Sequence, residues 1–565
     1  MSSAADKPVA RCALARHFLP RKAASAFFIG IALFSVLRMT WAVLDGSRLQ
    51  YADYWRMIET LLQPDGSLSV SGLFTFSNHH FIAFAQLLYW LNIKLFAGSN
   101  IALGLIDVAI VCCTLGLLGL MIRRLELDRT LRFALFGLTG ALLFSLSGAW
   151  NFIYGMSGAA WLSANLFAVA AIYLRSAERN ITAIVAAVFA TMSYGTGIFA
   201  WPAIIATGAV QRDFSQWWRE WPYAVGFLIS IVVVTSLSNS SGGTSSTDYL
   251  IIARLAASFL GSSVGLAGVW AEIAGWFALA AVPFLAIWLT FFMRSPAHAG
   301  WVGLALYGWC AILVITQGRA VFMAGYGYQG RYYSIAALTW LGLSVMMIQL
   351  LQTLRASGRV WGDKSRLFQS VFPWVWVLPL TLGALVSGTV QLEAREGRAV
   401  SQALGEIALQ LDVVDGSVGY LEGFTDNTRP FDSTRRLEAV GHYPFVEGWD
   451  LDCGLLGQTL RATVTERRGG ELHKVAPERG LESVNRIRGI LPGENSVNEA
   501  IRCVVIVDPA GLVVGAGTPQ RDGERGWVFI GLAHAIKGKY RMFVFDEGNE
   551  PILLSDQSVN DHGTE

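Results

Sequence analysis

The chain has 565 residues, of which 53% are hydrophobic and only 15% are charged. An ordinary soluble protein has roughly 25% charged residues, so this composition excludes an average globular domain. Residues 391–565 carry 45 of the 84 Lys, Arg, Asp and Glu residues, and this segment has the composition of a soluble domain. We therefore expect a membrane domain over residues 23–390 and a soluble domain over residues 391–565. The net charge of neither part points to nucleic acid.

Apolar runs of about 17 to 25 residues, the length that crosses the hydrocarbon of a bilayer, recur along residues 23–390. They predict a polytopic α-helical membrane domain with about eleven transmembrane helices. The runs cover residues 23–44, 101–122, 131–149, 157–174, 181–200, 198–211, 222–238, 266–293, 300–317, 332–352 and 368–390. Residues 193–197, with the sequence SYGTG, separate the fifth run from the sixth, and we expect a tight turn there.

Basic residues precede the first run and recur in every second segment between runs. Under the positive-inside rule, these segments and the N-terminal residues 1–22 are cytoplasmic in a multi-pass inner (plasma) membrane protein. With an odd number of spans, residues 391–565 lie on the extracytoplasmic side. The alternate segments 45–100, 150–156, 239–265 and 318–331 lie there too. No small-residue cleavage site follows the first run, so we expect it to be retained as a helix.

Several charged residues go against this topological bias, and such residues are functional candidates because a charge in or against a membrane is costly. Arg38 and Asp107 each lie about six residues inside a predicted span from its outer end. Since each helical residue adds 1.5 Å along the axis, the two lie at similar depth and are candidates for pairing. Such a pair would either fix the first helix against the second or form part of a substrate path.

The first outer segment is long, polar and aromatic. Residues 53–62 and 80–97 have helical apolar spacing with polar interruptions, as in helices that lie at a membrane surface. Asp53 directly precedes the first of these helices. Its carboxylate either caps the helix that begins at Tyr54 or removes a proton from a polar acceptor while a lipid-linked donor enters from the bilayer.

Arg319 and Arg331 flank a late outer segment that is rich in glycine and aromatic residues. A guanidinium group binds phosphate oxygens through two parallel hydrogen bonds and is weakly hydrated, so this pair suits a phosphate at the interface. Each arginine alone is equally compatible with a side chain that only reaches back to the membrane surface.

Residues 23–390 resemble the GT-C superfamily of integral-membrane glycosyltransferases, which take a sugar from a polyprenyl-phosphate carrier. The resemblance rests on a first span followed by a long outer loop with an aspartate (ADYW, 52–55), a polar motif (NHH, 78–80) and a late outer arginine before a tyrosine (RY, 331–332). Short outer aromatic–glycine loops such as WNF (150–152) and YG (194–195) add to it. It implies that Asp53 is the catalytic base, with Asp45 as the alternative. It also implies that Arg331, and after it Arg319, binds the carrier phosphate.

The chemistry of such a transfer needs few groups. The base takes the proton of the acceptor hydroxyl as its oxygen attacks the anomeric carbon, which inverts the configuration. The departing polyprenyl phosphate is a weak base and needs charge stabilisation instead of a general acid. His80 is a candidate donor to the phosphate. The remaining candidates for the acceptor or an accessory site are His79, Asn78, Trp55 and Tyr332.

We expect no cofactor. Asp53 lacks the nearby second acid found in many GT-C members, and no His, Cys and carboxylate cluster has the spacing of a metal site. A divalent metal is therefore not favoured. The expected partners are a polyprenyl-phosphate-linked sugar donor, an extracytoplasmic glycan or glycolipid acceptor and the lipid bilayer.

The C-terminal segment predicts a helix over residues 391–412, followed by short alternating runs bounded by Gly, Pro, Asp or Asn. This pattern is typical of a β-sandwich-like domain. Trp449 and Trp527 either stack on a sugar ring or lie in the core. Cys453 and Cys503 either form a disulfide in an oxidising compartment or are free buried cysteines.

Three other functions remain open on the sequence. A glycan polymerase or ligase with a diphosphate-linked donor would rely more on histidine and arginine than on Asp53. A lipid or sugar transporter would line its path with Arg38 and Asp107 and would have inverted repeats, but the sequence shows no clear repeat. An acyltransferase would need a histidine within the membrane, whereas His79 and His80 lie at the outer edge of the first loop.

Overall fold

The computed structural model describes residues 21–555, with gaps. The residues between these limits that are not described are 52, 78–79, 213, 238–247, 293, 295, 321–329, 357–361, 414–433, 447–448, 450, 461–465, 468–470, 476–483, 492–500, 523–525, 535–539 and 547–550. Most of the N-terminal segment, Asn78, His79 and most of the segment between Arg319 and Arg331 therefore lie outside the described residues.

The chain is mainly helical up to residue 410. Its helices, in order, are α1 (Arg21–Leu44), α2 (Tyr54–Leu61), α3 (Ala83–Phe96), α4 (Asn100–Arg123), α5 (Arg129–Leu143), α6 (Trp150–Ile153), α7 (Gly155–Ser176), α8 (Asn180–Ser193), α9 (Ala200–Gln211), α10 (Trp221–Leu237), α11 (Tyr249–Ser262), α12 (Gly268–Phe292), α13 (Pro296–Arg319), α14 (Tyr333–Ala356), α15 (Gly362–Val386) and α16 (Thr389–Gln410). A short helix α17 (Thr434–Ala439) follows. Short 3₁₀ turns include Leu146–Gly148, Gly195–Phe199 and Gly330–Tyr332.

Seven of the described helical segments are long and apolar enough to cross a membrane, which makes this a multi-pass membrane protein. They are Lys22–Leu44, Asn100–Arg123, Arg129–Gly148, Gly155–Ser176, Gly268–Phe292, Pro296–Arg319 and Gly330–Leu354. Each of the eleven predicted runs overlaps a helix, but α8, α9 and α10 are shorter than a full span, and α15 is apolar only over Val371–Val386. The count of about eleven spans is therefore not confirmed.

One predicted connecting segment contains a helix. Residues 239–265 were expected to be an outer loop, but α11 occupies Tyr249–Ser262 and packs along α12. Asp248 starts it, because its side chain accepts hydrogen bonds from the backbone N–H groups of Leu250 and Ile251. The hydropathy pattern missed this helix because 14 residues that include Arg254 are too short and too polar for a span.

The segments expected outside meet at one end of the helices. The Asn100 side chain ties segment 45–100 to segment 150–156. Its Nδ2 donates to the carbonyl oxygens of Ser47 (3.0 Å) and Ile153 (2.7 Å), and its Oδ1 accepts from the backbone of Gly155 (2.9 Å). We call this end, formed by segments 45–100, 145–155, 194–199 and 330–332, the loop face. The basic residues predict that alternate connecting segments lie on the same side of the membrane. The segments that meet at the loop face are consistent with this prediction.

The helix predicted after the last span is present as α16, and strands follow it. They are β3 (Glu466–Arg467), β4 (Glu471–Val475), β5 (Val484–Leu491), β6 (Ile501–Val507), β7 (Val513–Asp522), β8 (Gly526–His534), β9 (Arg541–Asp546) and β10 (Pro551–Ser555). All eight belong to one sheet in the order β3-β10-β9-β6-β7-β8-β5-β4, antiparallel except for the β10–β3 pair. The β-rich character is confirmed, whereas two packed sheets, as in a sandwich, are not. The hairpin β1 (Phe76–Ser77) and β2 (His80–Phe81) lies in the first loop.

The C-terminal region is not packed as a separate unit. Tyr54, Trp55 and Ile58 of the first loop share one hydrophobic core with Ile407 of α16 and Tyr443. The change in composition at residue 391 therefore marks the end of the membrane spans and not a break in packing. This shared core also means that the first loop and the C-terminal region lie on the same side of the spans.

Cys453 and Cys503 form a disulfide, which settles the alternatives that the sequence left open. It joins the segment after α17 to the buried strand β6 and closes a loop of 50 residues. Loop closure of this length restricts the unfolded chain and is worth about 2–5 kcal/mol. We expect Cys453→Ser to lower the thermal unfolding temperature of the purified, oxidised protein, with Cys310→Ser, a free cysteine in α13, as the control. Equal unfolding temperatures for Cys453→Ser and the wild type would contradict this.

Candidate functional site

Tyr194 lies at the centre of the loop face. It follows α8 with an extended backbone, and its ring packs against the rings of His80 (centroids 4.3 Å apart) and Trp161 (3.9 Å). Gly195 allows this approach, because a Cβ atom there would lie 2.7 Å from His80 Nδ1. The turn predicted at residues 193–197 thus brings the first loop against the bundle.

The charged groups predicted for the reaction lie near enough to Tyr194 to act on the pKa of its hydroxyl. Burial raises the pKa of Tyr194 well above its ordinary value, and the neighbouring Tyr332 raises it further. The Arg319 and Arg331 charges act in the opposite direction, whereas the Asp53 charge also raises the pKa. The structure therefore brings Asp53, both arginines, His80 and Tyr332 to one tyrosine, which remains protonated at neutral pH.

Asp53 does not cap α2. Its backbone is helical (φ −58°, ψ −10°), and its side chain makes no capping hydrogen bond. The carboxylate is half-buried, and its charge contributes to the raised pKa of Tyr89. The main cause of that shift is burial, followed by Asp107, Tyr54, Asp53 and Tyr194. Since the Tyr89 hydroxyl donates to the carbonyl oxygen of Met156 (2.8 Å), α3 and α7 are linked beside Asp53. The capping alternative raised by the sequence is therefore wrong.

Arg331 is held through its backbone. Asn151 Nδ2 donates to the Arg331 carbonyl oxygen (2.8 Å), and Ser157 Oγ fixes Asn151 by donating to its Oδ1 (2.9 Å). The Arg331 guanidinium lies 5.2 Å from the centroid of the Tyr332 ring. Its Nε is buried and has no hydrogen-bond partner among the residues that the structure describes. The main chain is thus fixed while a donor of the side chain remains unused.

Tyr332 is buried between helices. Its ring stacks on Phe259 of α11 (5.3 Å) and meets the edge of Trp161 of α7 (5.4 Å). Its hydroxyl has no hydrogen-bond partner within the described part of the chain. An unpaired buried hydroxyl is costly, so Tyr332 and Arg331 together present two unused donors next to each other.

The other predicted residues lie elsewhere. Asp45 is exposed one residue beyond α1. Trp55 is fully buried, and its Nε1 donates to the carbonyl oxygen of Gln50 (3.2 Å), so it supports the first loop from inside. Trp449 is buried too. Asn78 and His79 lie outside the described residues, as does the Trp527 side chain.

The predicted pairing of Arg38 with Asp107 is wrong. Arg38 Nη1 donates to the carbonyl oxygen of Leu385 in α15 (2.6 Å). Asp107 is fully buried on α4 against α7, where a Cβ atom at Gly158 would overlap its carboxylate. The two residues share a depth in the membrane, but their side chains point in different directions.

Polar contacts from the C-terminal region, which no sequence pattern predicts, hold the segment around Asp53. Tyr54, next to Asp53, shares a hydrogen bond of 2.9 Å between its hydroxyl and His442 Nε2. Glu406 of α16 accepts from the Tyr443 hydroxyl (2.9 Å) and from Ser47 Oγ (3.2 Å). His442 and Glu406 are both buried, so the C-terminal region fixes both ends of segment 47–54.

Because Glu406 and His442 are buried and titratable, the packing of the C-terminal region against segment 47–54 depends on pH. Burial raises the pKa of Glu406 to about 7, although hydrogen bonds from Tyr443, Ser47 and Trp449 and the Arg48 charge oppose the shift. Burial lowers the pKa of His442 to about 4, against the bond to the Tyr443 carbonyl oxygen. The protonated Glu406 carboxyl therefore stabilises the fold. This contribution is complete below the pKa that Glu406 has in the unfolded chain, and it is lost as pH rises through about 7.

We expect Glu406→Gln to remove this loss, because glutamine does not ionise. Its Oε1 accepts from one of the two hydroxyls of Tyr443 and Ser47, and its Nε2 donates to the other, since a hydroxyl oxygen also accepts. The stability of the variant relative to the wild type should rise between pH 5 and pH 8 by up to about 3 kcal/mol. Thermal unfolding of both proteins across this pH range measures the difference in stability. The contribution of His442 cancels in this difference because both proteins contain His442. Glu438→Gln, at an exposed position, is the control. Parallel stability curves for Glu406→Gln and the wild type would rule the coupling out.

Among the described residues, no group of three or more His, Cys, Asp and Glu side chains is placed to hold a metal ion. Independence from metal thus remains a prediction. Comparison of the chain with protein-family models and with curated proteins finds no match. The function is therefore argued from the residues and their geometry.

Proposed function

We propose that this protein is a membrane glycosyltransferase of the GT-C type. It transfers a sugar from a polyprenyl-phosphate donor to an extracytoplasmic glycan or glycolipid acceptor with inversion. The observation that supports this best is that one carboxylate, Asp53, and two arginines, Arg319 and Arg331, all lie near enough to the half-buried Tyr194 to act on the pKa of its hydroxyl. A base and a phosphate-binding pair are the two elements that such a transfer requires.

In the proposed reaction, Asp53 takes the proton of the acceptor hydroxyl. At the same time, the oxygen of that hydroxyl attacks the anomeric carbon. The bond from the anomeric carbon to the phosphate oxygen breaks, and the electron pair leaves with the polyprenyl phosphate. Arg331 and Arg319 stabilise the charge that develops on the phosphate. Tyr194 is protonated at neutral pH, as tyrosine ordinarily is, and burial raises its pKa further. It therefore serves as a hydrogen-bond donor between the base and the phosphate.

The proposed topology has about eleven spans, with the N-terminus in the cytoplasm and the loop face on the extracytoplasmic side. The shared core of the first loop and the C-terminal region supports it, because both then lie on one side. The basic segments that alternate with the loop-face segments support the direction. A polyprenyl carrier would reach Arg319 and Arg331 from the bilayer at this face.

The test is a transfer assay with the purified full-length protein, a panel of radiolabelled polyprenyl-phosphate sugars and membrane glycans as acceptors. We expect label in the glycan, with the anomeric configuration of the product opposite to that of the donor. Transfer only from diphosphate-linked donors would favour the polymerase or ligase. Donor binding without turnover across the panel would favour a transporter.

A further inference from the structure

Arg38 lies in a membrane span, and two of its side-chain donors have no acceptor among the described residues. It sits six residues before Leu44, the last residue of α1, and thus about 9 Å below the helix end by the helical rise. Its Nη1 donates to the Leu385 carbonyl oxygen (2.6 Å), and the guanidinium carbon lies 5.6 Å from the Phe34 ring centroid. Its Nε and Nη2 are buried without a hydrogen-bond partner in the described parts of the chain. Unused donors of a cation are especially costly at this depth.

The surroundings of Arg38 are polar but carry no negative charge. The Tyr333 hydroxyl lies close enough to interact with both the Arg38 charge and Ser145. Ser145 Oγ in turn lies 3.3 Å from Ser387 Oγ. Within the described residues, no carboxylate forms an ion pair with Arg38. A cation near one tyrosine hydroxyl, which is itself linked to two serine hydroxyls, is the chemistry of an anion site when none of the described acids pairs with the cation.

The site opens toward the lipid. Helices α1 and α15 both pack against α5, and their described backbones have few close approaches to each other. Two side-chain contacts link them. One is the Phe28–Trp374 ring pair (6.1 Å), and the other is the bond from Arg38 to Leu385 near the loop face. Between these points the side chains that border the crevice are apolar and exposed, as expected for contact with acyl or isoprenoid chains. They include Phe34 and Leu37 on α1 and Leu378 and Leu382 on α15.

We propose that Arg38, together with Tyr333, Ser145 and Ser387, binds the phosphate group of a membrane lipid whose chain lies in the crevice between α1 and α15. The phosphate oxygens accept from Arg38 Nε and Nη2 and from the hydroxyls. The site is distinct from the proposed donor phosphate site at Arg331, although Tyr333 is only two residues away in sequence. It does not depend on glycosyl transfer, because the binding of a lipid is measured without turnover.

The test measures lipid binding to the purified full-length protein in nonionic detergent by native mass spectrometry. All proteins carry Arg331→Gln and Arg319→Gln, so that neither arginine of the proposed donor site contributes. The probes are a polyprenyl phosphate, phosphatidylglycerol, the corresponding uncharged polyprenol and inorganic phosphate. Arg38→Gln is compared with Arg254→Gln, which removes an exposed arginine that pairs with Glu272.

We expect Arg38→Gln to weaken the binding of a phosphate-bearing lipid by about tenfold or more, as for the loss of charged hydrogen bonds. Arg254→Gln should bind like its parent, and polyprenol should bind weakly to all variants. Tyr333→Phe keeps the arginine and should weaken binding severalfold, which provides a second test if Arg38→Gln does not fold. Three results would overturn the proposal. The first is equal lipid binding with and without Arg38, and the second is polyprenol binding as tight as that of polyprenyl phosphate. The third is that Arg38 affects the binding of inorganic phosphate but of none of the lipids.

Discussion

Asp53→Asn is expected to reduce sugar transfer by about 10²–10⁴-fold, the range for loss of a positioned general base. Asparagine has the same shape as aspartate but cannot take the proton of the acceptor hydroxyl. Because Asp53 does not cap α2 through its side chain, we expect the fold and the donor affinity to be retained. Steady-state kinetics together with donor binding measure the effect.

Asp45→Asn is the matched control for Asp53, since it changes another aspartate of the first loop at an exposed position. We expect it to leave kcat within a fewfold of the wild type. The assignment of the base is wrong if Asp53→Asn is fully active, and the reverse result, with Asp45→Asn inactive, would transfer the role to Asp45.

Arg331→Gln is expected to reduce kcat/KM for the donor by about 10²–10³-fold, the cost of removing one donor from developing negative charge. The Arg331 main chain is fixed by Asn151, so the variant should keep its local structure. Arg331→Lys should recover only part of the activity, because an ammonium group lacks the planar fork that binds two phosphate oxygens. Unchanged kinetics in Arg331→Gln, with Arg254→Gln as the reference, would exclude a phosphate role.

The sequence predicts how deep a residue lies in the membrane better than it predicts the direction in which the side chain points. Counting residues along an apolar run places Arg38 and Asp107 at one level, because the rise per residue is constant. Which neighbour each side chain meets depends on the rotation of the helix about its axis and on the packing of the bundle. Arg38 thus reaches Leu385, whereas Asp107 faces Gly158.

The same limit applies to the candidate site. The alternation of basic segments predicts that Asp53, Arg319 and Arg331 share one side, but only the packed helices determine that all three act on Tyr194. Tyr194 belongs to the YG motif (194–195) of the resemblance, but no pattern in the sequence gives it a role at the site, because a tyrosine beside an apolar run equally suits the membrane interface. Trp161, within an apolar run, is indistinguishable by sequence from an ordinary core residue.

Glu406 and His442 could not be predicted for a different reason. Glu406 lies in a charged helix whose pattern indicates a solvated surface, yet it is buried because α16 packs against the first loop. Local pattern reports the composition of a helix but not a partner 359 residues away, such as Ser47. Long-range contacts of this kind become visible only in the folded chain.

The most direct test of the central claim uses a purified protein loaded with a radiolabelled polyprenyl-phosphate sugar, to which an acceptor glycan is added in a single turnover. We predict that the wild type passes the label to the glycan, while Asp53→Asn binds the same donor and keeps the label on the carrier. Transfer at the same rate by both proteins would contradict the proposed base. A wild type that binds the donor and releases it unchanged would contradict the proposed enzyme.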